Sequence, residues 1–154
     1  MPETAFTVRP IGWVRSAATD AVDLDWGRVE ARIVLEPALR RGLQGLADFS
    51  HVLVVTYLHG ASFDPARHLV RRPRGIATMP ELGIFAQRAK DRPNPLGVTV
   101  VPLVAVAEDG ITVRGLDAID GTPVLDLKPH FPEFDAAPAA RVPPWVGELM
   151  RGYF

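Results

Sequence analysis

Apolar residues in this chain recur mostly at every second position in short stretches, and only rarely at the spacing that builds a helix face. Residues 6–14 read as a first strand with uneven alternation, and Pro10 within it marks a sheet edge or a bulge. Residues 16–28 are polar, small and acidic, with Trp26 and Gly27 near the end, and read as a loop. Residues 31–35 form a second strand. Pro37 then suits the first turn of a helix, and Leu39, Leu43 and Leu46 follow at helical spacing, although Gly42 and Gly45 each cost about 1 kcal/mol of helix propensity. The stretch 51–59, HVLVVTYLH, is the clearest strand, and its two mainly apolar faces predict burial on both sides. Residues 60–82 are arginine-rich and punctuated by proline, a long connection of the kind that carries function or moves. Residues 83–86, 97–107 and 111–116 predict further strands, with Glu108, Asp109 and Gly110 turning the last two into a hairpin. Residues 123–128 add one more strand, ended by Pro129.

Many short strands with one or two short helices give a mainly β fold, an antiparallel β-barrel or closed sheet followed by a C-terminal tail. In the tail, Pro144, Trp145, Val146, Leu149 and Met150 predict a short amphipathic helix lying on the barrel or on a partner subunit.

Size and composition add bounds. With 154 residues, 47% hydrophobic and 23% charged, the chain is expected to be one domain, with a core over residues 6–135 and a packing tail over 136–154. A domain of this size hides roughly 70% of the surface of its unfolded chain, so no staple is required. The absence of cysteine removes disulfides, thiolate nucleophiles and cysteine-bound zinc. The longest nearly apolar stretch, 98–107, contains Pro102 and falls short of the about 20 residues of a membrane helix. The first residues, MPETAFTVRP, lack the apolar block of a secretion signal, so a cytoplasmic protein without a membrane partner is the expectation. A net charge of −1 argues against gripping nucleic acid over the whole surface. A local patch is nonetheless present, because Arg67, Arg71, Arg72, Arg74, Arg88, Lys90 and Arg92 are opposed within their stretch only by Glu81 and Asp91.

The glycine-rich motifs of Rossmann and P-loop nucleotide sites are missing. Instead, residues 83–97 read GIFAQRAKDRPNPLG, in which Pro93 and Pro95 stiffen an extended ribbon presenting Arg88, Arg92 and Asn94. Arginine offers a fork of donors to a carboxylate or phosphate, and asparagine offers donor and acceptor to an adenine edge. The alternative is a proline-pinned loop with its arginines in water. A second constellation spans residues 114–130, with Asp117, Asp120, Asp126 and Lys128 close together. Asp120 before Gly121 suits a turn aspartate that bonds nearby backbone, whereas Asp117 can accept from ribose hydroxyls or an α-ammonium group and Lys128 can meet phosphate. His51 and His59 lie about 26 Å apart on an extended strand and cannot share a metal. His51, beside Ser50, suits a strand cap, and His59, beside Gly60, suits a pocket wall. No metal site is expected.

Four strings together resemble the TsaA-like family, which includes the TrmO tRNA methyltransferases: PIGWVRS at 10–16, GLADFSHVLVVTYLH at 45–59, GIFAQRAKDRPNPLGVTVV at 83–101 and GLDAIDGTPVLDLKPH at 115–130. The resemblance spans most of residues 10–135 in the family's order. It implies a barrel methyltransferase that binds S-adenosyl-L-methionine, is generally a homodimer, and N6-methylates threonylcarbamoyladenosine beside the tRNA anticodon. Carried onto matching positions, it assigns cofactor contacts to His59, Gly60, Arg88, Val98, Arg114, Gly115, Leu116 and Asp117, with Trp26, Gly27 and Arg28 in the place of a further cofactor loop. Three departures stand out. The N-terminal loop lacks the proline-arginine-glutamine string of longer members, the family's KPY becomes Lys128-Pro129-His130, and its serine-proline after the arginine becomes Ala89-Lys90. Longer bacterial members also carry an additional C-terminal domain.

The expected chemistry is direct displacement at the sulfonium methyl, in which orientation is the main catalytic device. A ureido-linked adenine nitrogen is a poor nucleophile, so an acceptor for its proton would help, and Asp117, Asp120 and His130 are the candidates. Arg71, Arg72 and Arg74, with Arg92, Asn94 and Lys128, are the candidate contacts to the RNA substrate. Two rival readings stay open: a methyltransferase for a small molecule or another nucleoside, and a module that binds the cofactor without turnover. Trp145, Tyr153 and Phe154 in the tail suit a contact across subunits.

Overall fold

The computed structural model describes residues 4–23 and 25–154. Its barrel strands are β1 (Gly12–Ser16), β2 (Glu30–Leu35), β3 (His51–Tyr57), β6 (Leu96–Ala107), β7 (Gly110–Arg114) and β8 (Pro123–Pro129). A two-stranded ribbon of β4 (Val70–Arg71) and β5 (Leu82–Gly83) stands apart. The six barrel strands close in the order β1-β2-β7-β6-β3-β8. All pairings are antiparallel, with Val14 opposite Ile33, Ile33 opposite Ile111, and Val54 opposite Thr99. Closure removes the free edges that an open sheet would expose. Short helices α1 (Pro65–His68), α2 (Pro132–Asp135) and α3 (Pro144–Leu149) lie outside the barrel, each with proline in its first turn.

The alternation decides what fills the interior. Val14, Ile33, Val52, Val54, Val101, Ile111, Val113, Leu116 and Val124 are all 1% exposed or less. Burying each such side chain stabilises the fold by about 1.5–3 kcal/mol. Asp109 sits at the β6–β7 turn, as the sequence predicts, and its carboxylate pairs with Arg32 across the sheet at 2.7 Å.

The structure departs from the sequence reading at the end of β7, which stops at Arg114 instead of residue 116, and in four further places. β1 begins at Gly12 instead of residue 6, because Pro10 has no N–H for a ladder and the described residues before it are exposed. The helix expected after Pro37 is a 3₁₀ turn, Pro37–Leu43, followed by Gly45 in the left-handed region at φ 85°. β3 stops at Tyr57, two residues before His59, where the Leu58 N–H turns to the carbonyl of Pro95. Its outer face is also less covered than predicted: Leu53 and Val55 are half-buried and Tyr57 is exposed, so the double apolar face reflects a surface still open to solvent. Residues 84–86, expected as strand, form a 3₁₀ turn, and Gln87 beyond it donates its amide to the carbonyls of Arg71 and Leu82, both at 2.8 Å. No helix among the described residues is long and apolar enough to cross a membrane.

Candidate active site

β6 outruns its neighbour β7, and the site grows from that mismatch. Residues 96–102 of β6 pair with β3, whereas β6 pairs with β7 only from Leu103 onward. Past Arg114, β7 turns away at Gly115, whose φ of 81° favours glycine, and the segment 115–117 runs beside the unpaired part of β6. There the Thr99 hydroxyl donates to Asp117 Oδ1 at 2.6 Å. One residue earlier, the Arg88 guanidinium donates to the carbonyl of Val98. Arg88 and Asp117, far apart in sequence, are thus anchored on consecutive residues of one strand.

Two groups of side chains assemble around this anchor. The first joins the turn after β3 to the proline-stiffened ribbon. Lys90 Nζ donates to the carbonyl of Gly60 at 3.3 Å, and Asp91 Oδ1 accepts the Ser62 N–H at 3.0 Å. Burial pushes the Asp91 carboxyl upward, but the Ser62 N–H, Lys90 and Arg71 outweigh it and hold the group below the ordinary carboxylate value. Arg92 folds back onto the carbonyl of Gln87 at 3.0 Å, and the exposed Asn94 offers its carbonyl to Leu96 N–H at 2.8 Å. His59, Gly60, Arg88 and Val98 therefore share one end of β3 and β6.

The second group is built from the turn Trp26–Arg28, the segment 114–117 and the tail. Trp26 is 3% exposed and its indole donates to the carbonyl of Val22 at 2.7 Å. The Gly115 N–H reaches the carbonyl of Val29 at 2.8 Å, and Arg114 pairs with Glu30 at 2.7 Å. The tail closes over both: Asp25 N–H donates to Gly152 and Trp26 N–H to Tyr153, each at 2.8 Å. The Tyr153 hydroxyl donates to Asp117 Oδ2 at 2.9 Å. Burial, with the charge of Asp117 beside it, pushes this phenol well above its ordinary value.

Other sequence candidates stand elsewhere. Asp120 accepts the Ser16 N–H at 3.0 Å, tying the end of β1 to the turn before β8 instead of bonding two residues ahead. His130 lies at the opposite end of β3, with its Nδ1 3.0 Å from Asp135 Oδ2 but without hydrogen-bond alignment, and its ring beside that of His51. Lys128 is exposed on the outer wall and pairs with Asp126 at 2.7 Å, which raises its pKa. Arg71, Arg72 and Arg74 make internal contacts, to Asp91, to the Met79 carbonyl and to Asp23 respectively. The sequence reading missed Thr99 and the role of Tyr153 at Asp117. Thr99 is a polar residue facing inward on an apolar strand, a usable signal; nothing in sequence ties Tyr153 to Asp117.

The donors and acceptors fit a nucleoside with an amino-acid tail. Arg88 keeps unused guanidinium N–H groups for a carboxylate, and each Asp117 oxygen, accepting one bond, retains a lone pair for a hydroxyl or ammonium donor. No group of three or more His, Cys, Asp or Glu suited to hold a metal ion occurs among the described residues.

A closed six-stranded antiparallel barrel, with a polar cluster where one strand outruns its neighbour, defines a small β-barrel class distinct from the Rossmann nucleotide binders. The sequence profile of the tRNA-methyltransferase O N-terminal domain matches residues 25–136, and the chain belongs to this family. An S-adenosyl-L-methionine-binding protein of Archaeoglobus fulgidus is 34% identical over 132 residues, 83% of this chain and 91% of that protein. A tRNA (adenine(37)-N6)-methyltransferase of Eikenella corrodens is 41% identical over 115 residues, covering 66% of this chain and 65% of the relative. The crystal structure of TrmO from Pseudomonas aeruginosa superposes with a TM-score of 0.71 at 32% identity, over 90% of this chain and 62% of that one. The chain thus spans less than two thirds of the length of the last two proteins.

Proposed function

We propose that this protein is an S-adenosyl-L-methionine-dependent methyltransferase acting on N6 of an adenosine beside the tRNA anticodon, with threonylcarbamoyladenosine as the acceptor. The observation that carries the reading is the convergence of Arg88 and Asp117 on Val98 and Thr99. The sulfonium cofactor, when bound, supplies a methyl group that an aligned nitrogen can take in one displacement.

The residues of this chain supply orientation. Arg88 holds the carboxylate of the cofactor's amino-acid portion, and Asp117 accepts from its hydroxyls or ammonium. His59 and Gly60 line the side toward β3, and the Trp26 turn and residues 114–116 line the side toward β7. Of the candidate proton acceptors, Asp117 is favoured by position, because it meets β6 one residue from the Arg88 anchor, whereas Asp120 bonds the Ser16 N–H and His130 stands at the far end of the barrel. Arg71, Arg72, Arg74 and Arg92 shape the loop with some of their N–H groups and turn the remainder, with Asn94 and Lys128, to RNA phosphates and bases. The reaction belongs to the cytoplasm, where tRNA is modified.

The outer wall supports a homodimer. Tyr57, Leu96, Val98, Val100 and Val104 are each more than 40% exposed on neighbouring strands, an apolar stripe of the kind that marks protein interfaces. Val100→Glu is expected to halve the mass in sedimentation equilibrium without unfolding the barrel.

The deciding experiment incubates the protein and methyl-labelled cofactor with tRNA carrying or lacking threonylcarbamoyladenosine. Label is expected only in the modified RNA, and less of it as salt rises. Label in neither RNA removes the tRNA reading and leaves a small-molecule methyltransferase or a binding module.

A further inference from the structure

Residues 152–154 are bound to the site by polar contacts that simple packing of the tail does not require. α3 already presents half-buried Trp145, Val146 and Leu149. The last three residues make a different kind of contact. The carbonyls of Gly152 and Tyr153 accept the backbone N–H groups of Asp25 and Trp26, and the Tyr153 hydroxyl donates to Asp117. Phe154 lies where Gly27 has no side chain, since a Cβ on Gly27 would come within 2.6 Å of the Phe154 carbonyl carbon.

Backbone strain collects at the same place. The positive-φ non-glycine residues of the described chain are Asp25, at 58°, and Arg74, at 52°. The first bonds Gly152; the second sets its guanidinium 5.4 Å from the Tyr153 ring centroid while pairing with Asp23 at 3.4 Å. A left-handed conformation costs a non-glycine residue roughly 1–2 kcal/mol, and such strain persists where the surroundings over-determine it, often around functional sites.

We propose that Tyr153 is a positioning residue for Asp117 and that residues 152–154 form one wall of the cofactor pocket, an inference that rests on Arg88 and Asp117 being cofactor contacts. Thr99 holds one carboxylate oxygen and Tyr153 the other, so the plane of the carboxylate is fixed and its remaining lone pairs point in defined directions. Thr99 alone would leave the group free to turn about its terminal torsion, which is broad for aspartate. Burial and the charge of Asp117 push the Tyr153 phenol well above its ordinary value, so the hydroxyl is a donor at neutral pH.

Tyr153→Phe isolates the hydroxyl, because the ring remains for Arg74 and for Phe154, whose ring centroid lies 4.8 Å away. Titration calorimetry with S-adenosylhomocysteine is expected to give about 10-fold weaker binding for this variant, the usual scale of a lost bond to a charged group. In an Asp117→Asn background the same change is expected to cost less than 2-fold, a coupling that a purely structural tail would not produce. Deleting residues 152–154 should weaken binding at least as much. An affinity for Tyr153→Phe within 2-fold of the parent overturns the inference, as does tighter binding on deletion, which would make the segment a competitor of the cofactor. If Arg88→Ala weakens binding and Tyr153→Phe does not, this inference alone falls. If neither Arg88→Ala nor Asp117→Asn weakens binding, the cofactor-site reading falls and takes this one with it.

Discussion

Each end of the barrel holds a carboxylate paired with a titratable ring. At one end Asp117 meets Tyr153, and at the other Asp135 meets His130. Asp117 leaves the end of β7 and is held by a tail residue, whereas His130 follows β8 and is held from α2. By residue type the second pair is the more inviting as a general base, since histidine changes charge near neutral pH whereas a phenol ordinarily does not. The surroundings reverse that ranking. Asp117 sits beside Thr99 and the anchoring strand of Arg88, while the His130 pair is flanked by Phe49, Phe131 and Phe134, whose rings pack 5.7 and 6.0 Å apart. What surrounds a pair, more than the pair itself, distinguishes a site from a clasp.

The comparison can be broken most directly by alanine at the two anchors. Arg88→Ala and Asp117→Ala are each expected to lower affinity for S-adenosylhomocysteine by about 10–100-fold in calorimetry, the scale of losing one or two bonds to a charged group. Unchanged affinity in both variants would move the site elsewhere. The opposite end supplies the control. His130→Ala should leave that affinity within 2-fold and lower the thermal midpoint by about 2–4 °C, corresponding to roughly 1 kcal/mol in a domain of this size. Loss of methyl transfer in this variant, with cofactor binding intact, would restore His130 as the proton acceptor.

The smallest effect is a pH dependence at Asp91, which ties the proline-stiffened ribbon to the turn after β3. Its carboxyl is depressed in the folded state, so the stability it contributes is present above the unfolded value of about 3.9 and is lost as pH falls through the folded value. Asp91→Asn is therefore expected to lower stability by about 1–2 kcal/mol at neutral pH, with the difference shrinking as pH falls below the ordinary carboxylate value and through the folded one. Chemical denaturation of both proteins across that range checks it. A difference that persists in strong acid would assign the effect to packing instead of charge.

Much of the barrel was legible because its information is local. The apolar runs over 51–59, 97–107 and 111–116, with Glu108, Asp109 and Gly110 at a tight turn, mark the strands, but the two apolar faces of 51–59 did not say which one turns inward. The errors cluster where local pattern and chain path conflict. Residues 6–10 alternate unevenly and join no strand, and Pro37–Leu43 has helical spacing but ends before a glycine in the left-handed region. The arginines at 71, 72 and 74 were legible as a basic run, yet their internal partners Asp91, Met79 and Asp23 were not, because the path of the connecting segments brings them together.

By itself the sequence determined the short strands of a mainly β fold and the two strings from which the candidate site is made, since strand period and proline stiffness are properties of neighbouring residues. Only the tertiary structure decided that β6 runs past β7, so that Arg88 and Asp117 meet it at adjacent residues, and that the tail returns to hold Asp117 through Tyr153. Strand overrun and tail return depend on closure of the whole barrel, a condition that no single stretch of the chain contains.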